Sequence, residues 1–147
     1  MKTKIIAALA AAILSLSATG AIADDSKAYT EGTVSNVTSV RTKPGMFDTY
    51  MKYLNTTYKQ LLEDQKKAGI VLDYGIYRAS PRSPHDPDLY LVVVLKNFGA
   101  LDGLDDRTEP LARKIYATRD AGNKAAADRE SIREILGSQL IQKLNLK

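Results

Sequence analysis

The chain has 147 residues, one histidine, no cysteine and a formal net charge of +4. Without cysteine it cannot form disulfides, thiolate nucleophiles, Cys-ligated zinc sites or iron–sulfur clusters. Its basic residues are interspersed with acidic ones and form no run, so the charge does not indicate nucleic-acid binding.

The first 23 residues predict a secretory signal peptide. Lys2 and Lys4 form a positive end, and residues 5–16 are apolar except for Ser15. Ala21-Ile22-Ala23 then offers small residues to a signal peptidase. The apolar stretch is too short to span a membrane as a helix, which takes about twenty residues. We therefore expect cleavage after Ala23 and a periplasmic or secreted protein that is free of the membrane.

Residues 24–32 are polar and without periodicity, which predicts a mobile leader in front of a single domain at 33–147. The first half of that domain alternates between two-residue and three-to-four-residue apolar periods. Its predicted elements are, in chain order, a strand over 33–42, a helix from Met46 that ends at Gly69, a strand over 70–79, a Pro-rich loop over 80–88 and an almost wholly apolar strand over 89–96.

The second half of the domain predicts a helical region and a last strand. Asn97 is a helix cap in front of Phe98, and Thr108 with Pro110 marks another helix start. Gly122 predicts a break in this region. A further helix over about 123–136 and a strand over 139–146 complete the chain.

The resulting order is strand, helix, strand, strand, helical region, strand, which is the split βαβ pattern of ferredoxin-like α+β folds. It predicts a four-stranded antiparallel sheet with helices on one face. The strand over 89–96 carries apolar side chains on both faces, so the face without helices needs a cover. A second copy of the chain provides one, and we expect a homodimer.

Two segments resemble the dimeric α+β barrel superfamily. Val40-Arg41-Thr42-Lys43-Pro44-Gly45 leads into the first amphipathic helix, and Val94-Leu95-Lys96-Asn97-Phe98 leads into the second. The resemblance implies two sheets paired across a two-fold axis, in a superfamily that includes small-molecule monooxygenases, isomerases and haem-binding enzymes. Haem-binding members usually supply a histidine from a helix, and no predicted helix here has one, so no cofactor is expected.

The second strand contains the main candidate site. Asp73 and Tyr77 share a face of that strand, and an acid that faces an interior must be paired or functional. Arg41 or Arg78 could be its partner, and together these residues could hold a polar or anionic group of a small ligand. An ordinary salt bridge at a dimer interface explains the same pattern.

Three further candidates are weaker. His85 is the one side chain that normally titrates near neutral pH, yet it lies in the Pro-rich loop. Tyr50 lies on the first helix, where its ring fits the core and its hydroxyl could line a pocket. No metal site is expected, because one histidine excludes His-rich zinc and iron sites and the acidic residues over 102–109 lack the spacing of a calcium loop. Magnesium or calcium binding by carboxylates alone stays open.

Three functions fit these observations. The first is a homodimer that binds a small, partly apolar ligand in a cleft, through Arg41, Arg78 and Tyr50. The second is a cofactor-free isomerase, lyase or monooxygenase with Asp73, Tyr77 and His85 as catalytic residues. The third is a structural or protein-interaction module without a ligand, in which the loop over 80–88 meets a partner.

Overall fold

The computed structural model describes residues 27–147. Four strands form one antiparallel sheet in the order β2-β3-β1-β4: β1 Tyr29–Thr42, β2 Asp73–Arg78, β3 Leu89–Leu95 and β4 Arg133–Leu146. With β1 and β3 in the centre, this is the ferredoxin-like arrangement. The predicted α+β class is confirmed. The predicted signal peptide lies outside the described residues.

The first and last strands, β1 and β4, are longer than the sequence pattern predicts. Tyr29 pairs with Leu146, so the last four residues of the predicted leader belong to β1. β4 begins at Arg133, and the prediction of a helix that reaches Leu136 is wrong. The reason is tertiary, because β4 pairs with β1 along almost its whole length and those backbone hydrogen bonds outweigh local helix preference.

The first helical region runs from Phe47 to Lys67 in three parts. These are α1 Phe47–Tyr53, a π-helical segment Leu54–Tyr58 and α2 Lys59–Lys67. In an α-helix a step of four residues overshoots a full turn by about 40°. The wider π turn compensates for this drift, so Tyr50, Leu54 and Leu62 all reach the core. Gly69 ends the region at φ +70°, as predicted.

The second helical region also departs from the predicted boundaries. Asn97 caps only a short 3-10 turn, Phe98–Leu101, where its Oδ1 accepts from the Ala100 N–H at 3.1 Å. Two longer helices follow, α3 Leu104–Tyr116 and α4 Arg119–Asp128. The predicted start at Thr108 is wrong, because Gly103 at φ +61° turns the chain into α3 earlier and Pro110 lies inside it.

The break in this region falls at Ala117, not at Gly122. Ala117 has φ +62° and ψ −44°, and the Thr118 N–H donates to the Tyr116 carbonyl at 2.7 Å. This is a γ-turn with a positive central φ, which is strained for a residue with a Cβ. Thr118 then caps α4, because its Oγ1 accepts from the Ala121 N–H at 3.1 Å.

Ala117→Gly is therefore expected to raise the free energy of unfolding by about 1 kcal/mol, because glycine relieves the strain at positive φ. Urea unfolding followed by circular dichroism measures the change. Ala125→Gly, in the middle of α4, is the matched control and is expected to lower the free energy by about 1 kcal/mol. Equal losses in both variants would contradict a strained turn at Ala117.

Both helical regions cover the same face of the sheet. One core cluster joins Val40, Leu89 and Leu91 to Tyr50 and Leu54, and a second joins Leu95 to Ile70 and Val71 beside α3. The opposite face, which we call the open face, is defined by strand alternation. Its larger apolar residues, none of which belongs to either core cluster of residues 27–147, are Val37, Tyr77, Tyr90, Val92, Val94 and Ile141.

Candidate functional site

Asp73 and its predicted partners are not together. The Asp73 side chain is 66% exposed, and its Oδ1 lies 2.8 Å from Nζ of Lys66 on α2. The hydrogen bond from Lys66 holds the pKa of the Asp73 carboxyl below its usual range. The prediction that Arg41 or Arg78 pairs with Asp73 is wrong, because α2 ends beside the start of β2 and places a lysine there instead.

Arg41 and the loop of His85 do come together, at the end of β1. The Arg41 Nη2 lies 2.7 Å from Oε2 of Glu134, and its Nη1 donates to the Pro84 carbonyl. Lys43 Nζ lies 3.8 Å from the same Glu134 oxygen. The Arg41 hydrogen bond lowers the pKa of Glu134, with smaller contributions from Lys43 and His85. Arg41 therefore already has a carboxylate partner.

The remaining residues of the predicted strand site point to opposite sides of the sheet. Tyr77 is 58% exposed on the open face. Arg78 lies on the helix side, with its guanidinium carbon 5.0 Å from the centre of the Phe47 ring. Asp73 and Tyr77 stand four residues apart on one strand, roughly 13 Å. These residues do not converge on one site, and the catalytic roles of Asp73, Tyr77 and His85 stay predictions.

Tyr50 is 2% exposed and belongs to a cluster of tyrosines between the first helical region and the sheet. The ring centres of Tyr50 and Tyr53 are 5.8 Å apart, and those of Tyr53 and Tyr58 are 6.5 Å apart. Burial raises the pKa of Tyr53, and a hydrogen bond with Tyr116 on α3 adds to the shift. Burial raises the pKa of Tyr58 to about 12. All of these hydroxyls are neutral at pH 7.

The shift at Tyr58 predicts a loss of stability at alkaline pH. The pKa rises on folding from its ordinary 10.0 to about 12, so folding favours the neutral phenol. That stabilisation is complete below pH 10 and is lost as the pH rises to 12, by about 3 kcal/mol. Tyr58→Phe is expected to lose about 2 to 3 kcal/mol less than the wild type over this range. Urea unfolding at a series of pH values tests this, and identical pH profiles would contradict it.

Two arginines lie against the tyrosine cluster. The guanidinium carbon of Arg129 is 4.4 Å from the centre of the Tyr53 ring. Arg133 is only 7% exposed, although it carries a charge, and it lies close enough to the Tyr50 hydroxyl to lower the pKa of that group against the larger, raising effect of burial. Among residues 27–147, neither arginine forms an ion pair with a carboxylate. A buried charge without a partner of opposite sign is costly, and Arg133 is the exceptional residue of this fold.

The pairing of β1 with β4 explains how Arg133 is buried. Thr42 pairs with Arg133 and Arg41 pairs with Glu134. Because alternate residues of a strand face opposite sides, Glu134 meets Arg41 on the open side and Arg133 enters the helix side beside Tyr50. The sequence pattern does not indicate Arg133 as a site residue, because it predicts a helix over about 123–136. The sequence of β1, which is rich in Val and Thr, does not indicate which residues of β4 pair with it.

Arg133 also lines a cleft between α4 and β4. The cleft has a volume of about 590 Å³, and its wall combines small apolar and charged side chains: Lys43, Asn123, Ala126, Ala127, Glu130, Arg133, Glu134 and Ile135. A second cleft of about 350 Å³ lies between α3 and α4 and includes Tyr116. Its Glu109 is paired with both Arg113 and Arg119. Asn123 lines both clefts, so the two are neighbours.

The described part of the chain contains neither a cluster of metal ligands nor a membrane-spanning helix. In residues 27–147, no three His, Cys, Asp or Glu side chains come together as metal ligands would. The helices of this part are also too short or too polar for any of them to cross a membrane.

The sheet order and the helices on one face define an α+β protein with a ferredoxin-like fold. A solved structure with the same architecture is the crystal structure of HapK from Hahella chejuensis, to which this chain is similar with a TM-score of 0.51 and 11% sequence identity. The similarity covers 75% of this chain and 91% of HapK, and at this identity it shows the fold alone. No protein-family model and no curated protein matches the chain.

Proposed function

We propose that this protein is an exported homodimer that binds a small, partly apolar organic molecule in the cleft between α4 and β4. A volume of about 590 Å³ falls within the range of small-molecule pockets, about 300 to 1,000 Å³. Ala126, Ala127 and Ile135 offer apolar contacts, and Asn123 offers a hydrogen-bonding amide. The observation that carries the proposal is the buried Arg133 in the wall of this cleft, because buried charge is seldom retained without a use.

A cleft-filling variant tests the binding proposal. A set of small aromatic and aliphatic fragments is added to ¹⁵N-labelled protein, and the amide signals are followed by NMR. Binding fragments are expected to shift amides at 123–127 and 133–135. Ala126→Leu is expected to abolish these shifts by filling the cleft, whereas Ala121→Leu, an exposed position on the same helix outside the cleft, retains them. Absence of any shift, or shifts that Ala126→Leu leaves unchanged, would contradict the proposal.

The exposed apolar side chains of the open face support the proposed homodimer. Tyr90, Val92 and Ile141 expose apolar surface there, and burial is worth about 1.5 to 3 kcal/mol for each large side chain that it covers. A second copy of the same face provides a cover of matching chemistry. The two subunits of the proposed dimer associate through their open faces. Ligand binding in the cleft between α4 and β4 does not require this dimer.

Native mass spectrometry at micromolar concentration tests the dimer. The wild type is expected at twice the chain mass. Val92→Glu is expected to weaken association by about 100-fold, because it places an unpaired charge in the interface. Ala121→Glu adds the same charge to the exposed surface of α4 and is expected to leave the dimer intact. A monomeric wild type would refute this part of the proposal.

Binding is favoured over catalysis by the position of Asp73. The catalytic alternative uses this residue as a base, yet the carboxylate is largely exposed and bound to Lys66, and its pKa is lowered. A base with a lowered pKa accepts a proton less readily at neutral pH. Asp73 and Tyr77 are also absent from the wall of the cleft. If an activity is found, Asp73→Asn is expected to leave its turnover unchanged.

A further inference from the structure

The charge of Arg133 narrows the chemistry of the ligand, and this inference rests on the function proposed above. Arg133 is 7% exposed as a residue and lines the cleft, and its neighbour Tyr50 carries a neutral hydroxyl. A neutral acceptor satisfies a hydrogen bond but does not compensate a positive charge. The pocket side of Arg133 therefore has the electrostatics of an anion site.

None of the nearby carboxylates in residues 27–147 forms an ion pair with Arg133. Asp88 accepts hydrogen bonds from the Thr42 N–H at 3.1 Å and from the Thr42 hydroxyl. Glu134 is held by Arg41 and Lys43. Glu130 lines the same cleft as Arg133 but forms no ion pair with it in the described structure. These three acids leave the guanidinium available to an incoming group.

The charges of the cleft wall select the type of anion. Lys43 and Arg133 contribute two positive charges, and Glu130 and Glu134 contribute two negative ones. A dianion such as a phosphate monoester would bring one negative charge more than the unpaired guanidinium balances, whereas a monoanion is balanced by it. A planar carboxylate also matches the fork of a guanidinium with two parallel hydrogen bonds.

We propose that the ligand carries a single carboxylate that binds Arg133, with an apolar body against Ala126 and Ile135. Glu130 lines the same cleft without pairing with Arg133, so its negative charge repels a carboxylate that binds there. Removal of its charge therefore favours ligand binding. Loss of the charge of Arg133 is therefore expected to weaken carboxylate binding, and loss of the charge of Glu130 to strengthen it.

Calorimetric titration with matched ligand pairs tests this. The probes are benzoate against benzamide and hexanoate against hexanamide, with phenyl phosphate as the dianion. Wild-type protein is expected to bind each carboxylate at least about tenfold more tightly than its amide, since a charge-assisted hydrogen bond contributes that much. Arg133→Met is expected to reduce the ratio below about twofold, and Glu130→Gln to raise carboxylate affinity about threefold. Arg82→Met, an exposed loop arginine outside the cleft, is expected to change nothing.

The outcomes separate this inference from the proposed function. Equal binding of amides and carboxylates would overturn the carboxylate proposal and leave the cleft a binding site. Tighter binding of phenyl phosphate than of benzoate would overturn the choice of a monoanion. Absence of binding by every probe would count against the cleft itself. If Arg133→Met does not fold, the matched pairs in the wild type and in Glu130→Gln still decide.

Discussion

Replacement of Tyr50 by phenylalanine is expected to lower the free energy of unfolding by about 1 to 3 kcal/mol. The ring remains and fills the same space, so the loss comes from the hydroxyl alone. That hydroxyl is the polar neighbour of the buried Arg133, and its removal leaves the guanidinium without this oxygen. Urea unfolding at neutral pH measures the change.

The Arg133→Met variant completes a double-mutant cycle with Tyr50→Phe. Methionine approximates the length of the arginine stem without its charge, so the double variant contains neither polar group. We expect the double variant to be at least as stable as the wild type, because both the buried charge and its dependence on the hydroxyl are gone. Losses that simply add in the double variant would contradict a direct interaction between Tyr50 and Arg133.

Leu54→Ala is expected to lower the free energy of unfolding by about 2 to 5 kcal/mol, the largest effect of any variant considered. Leu54 is 0% exposed, opens the π-helical segment and packs in the cluster of Val40 and Leu89. Truncation would leave a cavity that the sheet and helix cannot close. Urea unfolding measures the loss.

Leu146→Ala provides the matched control for this core variant. The same chemical change is made at a residue that is 84% exposed at the end of β4. We expect a change within about 0.5 kcal/mol. Similar losses in Leu54→Ala and Leu146→Ala would show that the core has been assigned to the wrong face of the first helical region.

The element order could be predicted from the sequence because each change of apolar period marks a physical change of backbone. The Val-Thr run of β1 and the apolar run of β3 favour strands on local grounds, and Gly69 readily adopts the positive φ that ends the first helical region. The start of β4 is different. Its residues 133–135 adopt the strand because β1 extends far enough to pair with them.

The candidate site was predicted less well than the fold, for a related reason. Strand alternation correctly gives Asp73 and Tyr77 one face, but exposure depends on what covers that face. The partner of Asp73 comes from α2, and the partner of Arg41 comes from β4. Long-range pairings of this kind leave no mark in a single sequence. Arg133 is identified as a site residue by its burial, which the sequence alone does not show.

The identity of the group that faces Arg133 is tested most directly by NMR of the arginine side chains. The Nε–H signals of ¹⁵N-labelled protein, assigned through Arg133→Met and Arg82→Met, are followed as benzoate is added. We expect a saturable shift of the Arg133 Nε–H signal, which benzamide does not reproduce. A signal of Arg133 that stays unmoved while benzoate shifts only exposed arginines would contradict it.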